Sequence, residues 1–479
     1  MSLPLHTSLY PLTPSSSSTP HPFIGQPLSS LPTPAAIIDR AVVKRNCKAM
    51  LEACKGLGVG FRAHVKSHKT IEISRLQVGD INDIAQEEEG KEAGKEGEKS
   101  KDFIVSTLIE AEHLVAFYKD RKTPFSILYG VPIPQGHIPR LLHLASPLPP
   151  YTLSILIDNE TAYSHFRTTL SSTPNAPEIG VFIKIDSGYH RAGIETTSPR
   201  FPSLVQTVTE TSGEGFRGFY SHYGHSYAGS SPSDAAQGLL EELQSMREAL
   251  RAVPPGSKRR GKLTLSVGAT PTATAAQNLL SASSSLSDPK VVEFKTLLQE
   301  LKKDNLVELH AGVYPLLDLQ QLATQARPET GGARDGFAPL AKESIALKVL
   351  LEVSSVYTER ERPEALVSAG SLALGREPCK SYPGWGIVTG DFRGSGGKVY
   401  DERGDREGWI VGRVSQEHGV LTWEGRREEC VELGVGERVS VWVNHACVAG
   451  AGFGWYAVVD SEGGEEAKVV DVWVRWRGW

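Results

Sequence analysis

Over the first two-thirds of the chain, short apolar runs alternate with longer stretches of helical periodicity. Eight runs read as strands: 61–66, 103–106, 126–129, 153–157, 181–186, 216–221, 263–267 and 306–309. Helical segments lie between them. Thr107–Tyr118 opens with Thr-Leu-Ile-Glu, the spacing of a capping box. Pro232–Ala252 carries Leu239, Leu240, Leu243, Met246 and Leu250 at helical spacing. Eight strands separated by helices predict an α/β fold, a (β/α)8 TIM-like barrel with its chemistry at the C-terminal ends of the strands. One strand fewer would instead allow an open sheet of six or seven strands. After about residue 342 the pattern changes to short Val- and Trp-rich runs separated by Gly-rich turns, at 345–353, 386–389, 409–414, 437–443 and 468–474. That texture predicts an all-β C-terminal domain.

Low-complexity stretches punctuate this plan. Residues 1–32 read as a flexible Pro/Ser-rich extension, 33–341 as the barrel and 342–479 as the β domain. Residues 86–102 form a charged insertion almost free of apolar side chains, a solvated surface loop; 281–288, 325–336 and 390–408 read as further loops. No repeat of 20 to 50 residues is visible in the sequence.

Composition narrows the function classes. Lys plus Arg number 51 against 56 Asp plus Glu, a net charge of −5, so no basic excess exists to bind a nucleic-acid backbone. The longest apolar runs, 153–157 and 345–351, fall far short of the roughly 20 residues of a membrane helix, which predicts a soluble protein. The N-terminus has no cationic segment followed by an apolar core, and Arg is absent before Arg40. The five cysteines, Cys47, Cys54, Cys379, Cys430 and Cys447, are an odd, sparse set that reads as reduced thiols in a cytoplasmic protein.

Five segments carry candidate chemistry. In the first strand, Phe61-Arg62-Ala63-His64-Val65-Lys66-Ser67-His68-Lys69-Thr70, alternation puts Arg62, His64 and Lys66 on one face. Three such polar groups inside a barrel must meet an anion or a bound ligand. A lysine at the strand's C-terminal end suits a Schiff base with pyridoxal phosphate; on spacing alone, a solvent-exposed lysine fits equally well. Lys184-Ile185-Asp186-Ser187-Gly188-Tyr189-His190-Arg191 delivers Arg191 to the barrel mouth. Ser221-His222-Tyr223-Gly224-His225-Ser226-Tyr227 is rich in rings that hold a flat molecule or simply pack. Ser266-Val267-Gly268-Ala269-Thr270 leads into a helix and offers N–H and hydroxyl groups to a phosphate. Finally, Val443-Asn444-His445-Ala446-Cys447 would, on a strand, put an imidazole and a thiolate on one face, a nitrogen–sulfur pair suited to zinc with open positions left over.

In this order the five segments resemble the eukaryotic-type D-serine dehydratases. That family depends on zinc and pyridoxal phosphate, is grouped with the D-threonine aldolases and shares the alanine racemase barrel (fold type III). The resemblance runs from Thr33-Pro34-Ala35 to His445-x-Cys447 and departs only in the N-terminal extension and the insertions. It implies that Lys66 is the catalytic Schiff-base lysine, and that His64, Arg191, His222, Tyr227, Gly268, Thr270 and Tyr314 contact the cofactor. Within that set His222 would lie against the pyridine ring, Arg191 would approach the phenolic oxygen, and Gly268 and Thr270 would take the phosphate side. His445 and Cys447 would hold Zn2+. His310 stands where the racemases carry an arginine near the ring nitrogen. The implied reaction is dehydration of D-serine to pyruvate and ammonia; the sequence does not fix how strongly D-serine is preferred over D-threonine. D-threonine aldolase-type cleavage is the rival activity, and Cys447 where the aldolases carry an aspartate favours dehydration. A non-catalytic pyridoxal-phosphate carrier is a third reading, against which the β domain argues. The resemblance also implies a homodimer in which the barrel of one subunit faces the β domain of the other.

Overall fold

The eight apolar runs become parallel strands because their side chains are buried on both faces, one toward the barrel interior and one toward the surrounding helices. The computed structural model describes residues 22–80, 100–224, 228–229, 231–255, 261–280, 289–327, 337, 339–390, 397–465 and 467–479. A first strand, β1 (Ala35–Asp39), precedes the barrel. The barrel strands are β2 (Gly60–His64), β3 (Lys101–Val105), β4 (Phe125–Pro132), β5 (Leu153–Ile157), β6 (Gly180–Ile185), β7 (Phe216–Ser221), β8 (Leu263–Val267) and β9 (Asn305–Ala311). β2 pairs in parallel with β9, Gly60 opposite Glu308 through Ala63 opposite Ala311, which closes the ring and rules out an open sheet.

The interior shows how the strand polarity is accommodated. Ile104, Leu128, Leu156, Phe182 and Tyr220 fill the middle of the barrel. Below them Arg62 meets its anion: Nε donates to Glu308 Oε1 at 2.6 Å and Nη2 to Glu308 Oε2 at 3.1 Å, both residues buried. Arg62 is therefore structural, a forked pair closing the barrel floor, and the cavity above is left to His64 and Lys66.

The second layer is a nine-stranded sheet in the order β11-β14-β13-β12-β15-β10-β1-β16-β17. Its strands are β10 (Leu347–Tyr357), β11 (Glu364–Val367), β12 (Gly386–Val388), β13 (Gly408–Val414), β14 (Gly419–Glu424), β15 (Arg438–Val443), β16 (Trp455–Val459) and β17 (Asp471–Val474). β1 lies inside this sheet, antiparallel to β10 and parallel to β16. Residues 35–39, grouped with the barrel by sequence position, therefore stand in the other layer. Ile37 packs there with Leu31, Leu350, Ala457 and Val459. The chain thus starts in the β layer, builds the barrel and returns, which clamps the two layers together.

The helix Leu108–Tyr118 begins as expected, but its cap differs from a capping box. Thr107 Oγ1 donates to Glu110 Oε1 at 3.0 Å, and the Ser106 N–H donates to Glu110 Oε2 at 2.8 Å. The buried Glu110 is drawn away because it also pairs with Lys69 Nζ at 2.9 Å.

Candidate active site

Lys66 lies two residues beyond the end of β2, on a turn that brings its side chain into a cavity of about 280 Å³. That volume lies close to the lower end of the roughly 300–1,000 Å³ typical of small-molecule sites. Besides Lys66, the cavity is lined by His64, Arg191, His222, Thr270, His310, His445 and Cys447, among others. Barrel and β layer of one chain therefore meet at one site. The expectation that His445 and Cys447 reach the barrel of a partner subunit is corrected: they face Lys66 within their own chain.

The segment after Lys66 is fixed by its own sequence. Thr70 Oγ1 accepts from the Ile73 N–H at 3.4 Å and caps the helix Ile71–Gln77. The Thr70 N–H donates to His68 Nδ1 at 3.1 Å, so the proton of the buried His68 sits on Nε2, which donates to Gln77 Oε1 at 2.9 Å. Burial holds the His68 pKa down to about 3. Lys69, the second lysine of the signature, is tied to Glu110 and does not line the cavity.

The opposite wall is a column of rings. Tyr220 stacks on His310 at 4.4 Å with planes 7° apart, and His310 on His222 at 5.9 Å and 16°. His222 Nδ1 donates to the Gly268 carbonyl at 3.0 Å, and His310 Nδ1 bonds Ser266 Oγ at 3.0 Å. Burial first, and then the positive charge of Lys66 and its neighbours, hold His64, His222 and His310 well below the usual imidazole range. Three neutral imidazoles surround the lysine. Two of their atoms, His64 Nδ1 and His310 Nε2, are buried with no hydrogen-bond partner among the described residues.

Gly268 itself does not line the cavity but shapes the loop that brings Ala269 and Thr270 to it. Gly268 has φ +134°, and a Cβ there would stand 2.5 Å from the His310 carbonyl oxygen. Thr270 Oγ1 accepts from the N–H groups of Gly312 (3.4 Å) and Val313 (3.2 Å), joining the β8 and β9 loops. Arg191 stands exposed at the mouth, its guanidinium carbon 5.5 Å from the Tyr189 ring centre. Tyr314 takes no part in the cavity: it packs edge-on to Phe61 with its hydroxyl beside the Cys47 thiol, behind the wall. Tyr227 lies outside the described residues.

The nitrogen–sulfur pair arises differently from the sequence expectation. β15 stops at Val443, His445 is the N-cap of the helix Ala446–Ala451, and Cys447 lies in its first turn, so the two do not alternate along a strand. The buried Asp318 makes the turn: Oδ2 accepts from the Ala446 N–H at 2.9 Å while Oδ1 caps Leu319–Ala323 through the Gln321 N–H at 2.9 Å. His445 and Cys447 still converge, since both line the cavity. Burial would raise the thiol, but the bond and charge of His445, with Lys66 and Ser67, outweigh it and lower its pKa. Burial would lower His445, and Cys447, Asp318 and Glu377 lift it to about 9. Ser67, Asp318 and Glu377 join the site without having been singled out from sequence; only Ser67 gave any signal, by lying within the lysine signature.

The residues fit the two groups the resemblance implies. A flat uncharged ring wall, two unpartnered buried imidazole nitrogens, the side-chain-free Gly312 on the lining, and a lysine on the same cavity suit pyridoxal phosphate. A cysteine sulfur beside an imidazole suits zinc, with two protein donors leaving open positions. A second cluster, Asp186, His190 and Glu195, sits on an outer loop with His190 and Glu195 exposed, and its members already pair with one another.

Comparison with known proteins gives the family and the fold. Residues 38–283 match the family "Alanine racemase, N-terminal domain", and residues 346–459 match "Putative serine dehydratase domain". The chain is 32% identical to D-serine dehydratase of Schizosaccharomyces pombe over 95% of its length and 94% of the relative's. It is 32% identical to D-serine dehydratase of Saccharomyces cerevisiae, over 95% and 98%. Among solved structures, an alanine racemase-like protein from Idiomarina loihiensis superposes with TM-score 0.69 at 26% identity, over 95% of this chain and all of that one. D-threo-3-hydroxyaspartate dehydratase from Delftia sp. HT23 gives 0.68 at 25% identity, with the same coverage. No helix among the described residues is long and apolar enough to cross a membrane.

Proposed function

The chain belongs to the D-serine dehydratase family of lyases, and on that premise we propose that it eliminates water from D-serine, with pyridoxal phosphate and zinc, to give pyruvate and ammonia. The observation that carries the reading is that Lys66 and the His445–Cys447 pair line one cavity, opposite a wall of neutral rings. When bound, pyridoxal phosphate supplies an electron sink for charge at the substrate Cα, and zinc supplies a Lewis acid for the β-hydroxyl.

The chain's own residues do the rest. Lys66 Nζ anchors the cofactor aldehyde and, once released by the incoming amino acid, takes the proton from Cα. His222, its Nδ1 committed to the Gly268 carbonyl, presents an uncharged face against which an aromatic ring can lie. Thr270 and the Gly312–Val313 backbone, which line the cavity, would hold the cofactor's phosphate, and Arg191 at the mouth would approach its phenolic oxygen. His445 and Cys447 hold the metal. Ser67 donates to the Cys447 thiolate, and Asp318 fixes the turn that aims both ligands. A cysteine ligand favours a borderline-soft ion such as zinc over manganese or magnesium, which supports dehydration over retro-aldol cleavage.

A thiolate ligand works best where thiols stay reduced, and all five cysteines are free, which supports a cytoplasmic enzyme. Pairing of two chains completes the reading and is tested by sedimentation. The function itself is tested by adding D-serine or D-threonine to protein loaded with pyridoxal phosphate and zinc. Pyruvate and 2-oxobutanoate with ammonia are expected. Glycine and acetaldehyde from D-threonine, with no keto acid, would overturn the reading in favour of the aldolase.

A further inference from the structure

Among the described residues lining the cavity, Glu377 is the only carboxylate, and the mechanism above gives it no task. Its backbone is held on both sides. The Glu377 carbonyl accepts from Asn444 Nδ2 at 2.9 Å, and the Pro378 carbonyl accepts from Gln320 Nε2 at 2.8 Å. Asn444 precedes His445 and is itself locked: its other Nδ2 bond goes to the Gly384 carbonyl at 2.9 Å, and Tyr382 donates to its Oδ1 at 2.6 Å. Glu377 is thus fixed beside the residue that precedes His445 and lines the cavity together with the metal pair. A zinc ion held by one thiolate keeps one net positive charge; Glu377 nearby cancels it. A second carboxylate on the substrate, entering on that side, would meet a like charge on the wall of the metal pair, while the cavity's cationic side chains, Lys66 and Arg191, come from barrel loops.

We propose that Glu377 is a specificity-determining residue that excludes β-hydroxy D-amino acids bearing a carboxylate on Cβ, and so confines the site to a β-carbon carrying hydrogen or a small neutral group. This rests on the reading that His445 and Cys447 face the substrate's β-carbon. The test compares wild type, Glu377→Gln and Glu377→Asp, each loaded with pyridoxal phosphate and zinc and checked for fold by circular dichroism. Calorimetric titration measures affinity for D-aspartate and D-alanine, which lack a β-hydroxyl and differ by the β-carboxylate. Steady-state kinetics measure kcat/KM for D-threo-3-hydroxyaspartate and D-serine. Glu377→Gln is expected to raise both ratios, dicarboxylate over monocarboxylate, by about tenfold or more. Glu377→Asp, which keeps the charge, is expected to stay near wild type. Ratios in Glu377→Gln within about twofold of wild type, or an equal shift in both variants, overturn the proposal. Absence of pyruvate from D-serine in the wild type would instead overturn the parent function, and the two binding affinities would still decide the role of Glu377.

Discussion

Ser67 Oγ lies 3.0 Å from Cys447 Sγ, a contact between residues 380 positions apart that joins the turn after Lys66 to the helix of the metal pair. A cysteine that holds a metal is a thiolate and only accepts, so with the metal bound the serine hydroxyl is the donor. This bond orients the sulfur and is one of several links between the barrel mouth and the β layer, beside the bond from the Trp476 N–H to the Lys69 carbonyl. Replacing Ser67 with Ala removes that donor and leaves the ligands in place. Zinc affinity is expected to fall by roughly 10–100-fold, as for other residues that orient a metal ligand, while cofactor binding to Lys66 persists. Competition with a chelating dye, read beside the cofactor's visible absorbance, separates the two.

Lys66 and Lys69 stand three positions apart, yet only Lys66 lines the cavity; Lys69 Nζ is 2.9 Å from the buried Glu110. Borohydride reduction of the holoenzyme followed by peptide mapping should find pyridoxyl on Lys66 alone. Label on Lys69 would require the Glu110 pair to break and would refute the placement. Lys66→Ala should abolish both the label and turnover.

His68 gives a pH signature. Its folded pKa of about 3 lies below the ordinary value of 6.5, so the unfolded chain binds the proton more tightly. The contribution is present above pH 6.5 and is lost as pH falls toward 3. The cause is geometric: Nδ1 accepts from the Thr70 N–H, and protonating it would set a donor against a donor. Between those limits stability should fall by up to about 1.4 kcal/mol per pH unit from this residue. Denaturant titrations across pH 4–6 should show a smaller slope, by about one proton, in His68→Asn; an unchanged slope would show that other groups carry the acid limb.

The barrel was legible in the sequence because each of its strands is buried on both faces and stands out as an apolar run between amphipathic helices. β1 was not assigned to its sheet, since Ala35–Asp39 finds its partners at Leu347–Leu350 and Ala457–Val459, and nothing local in its pattern distinguishes those from a barrel neighbour. Lys66, His445 and Cys447 were found because each sits in a short signature. The geometry of the last two was misjudged: alternation along a strand presumes that the strand continues, and Asp318, distant in sequence, caps a helix there instead. Glu377 was invisible for the same reason, since its place on the wall depends on Asn444 and Gln320.

The metal separates the two halves of the reaction. On the proposed mechanism Lys66 would take the Cα proton without His445 or Cys447, whereas departure of the β-hydroxyl would need the charge of the metal those ligands hold. Chelation should therefore stop pyruvate formation and leave the cofactor absorbance in place. Proton NMR of D-serine in deuterium oxide should still show exchange at Cα. Cys447→Ala is expected to lose elimination by on the order of a thousandfold or more, with exchange reduced far less. Cys447→Asp replaces a soft ligand with a hard one and should shift metal preference toward manganese or magnesium, which metal analysis after dialysis reads directly. Undiminished pyruvate formation in protein verified to be free of zinc would show that the pair only supports the helix Ala446–Ala451. Loss of Cα exchange together with pyruvate would show that the metal is needed before the proton moves, and that Lys66 does not act alone.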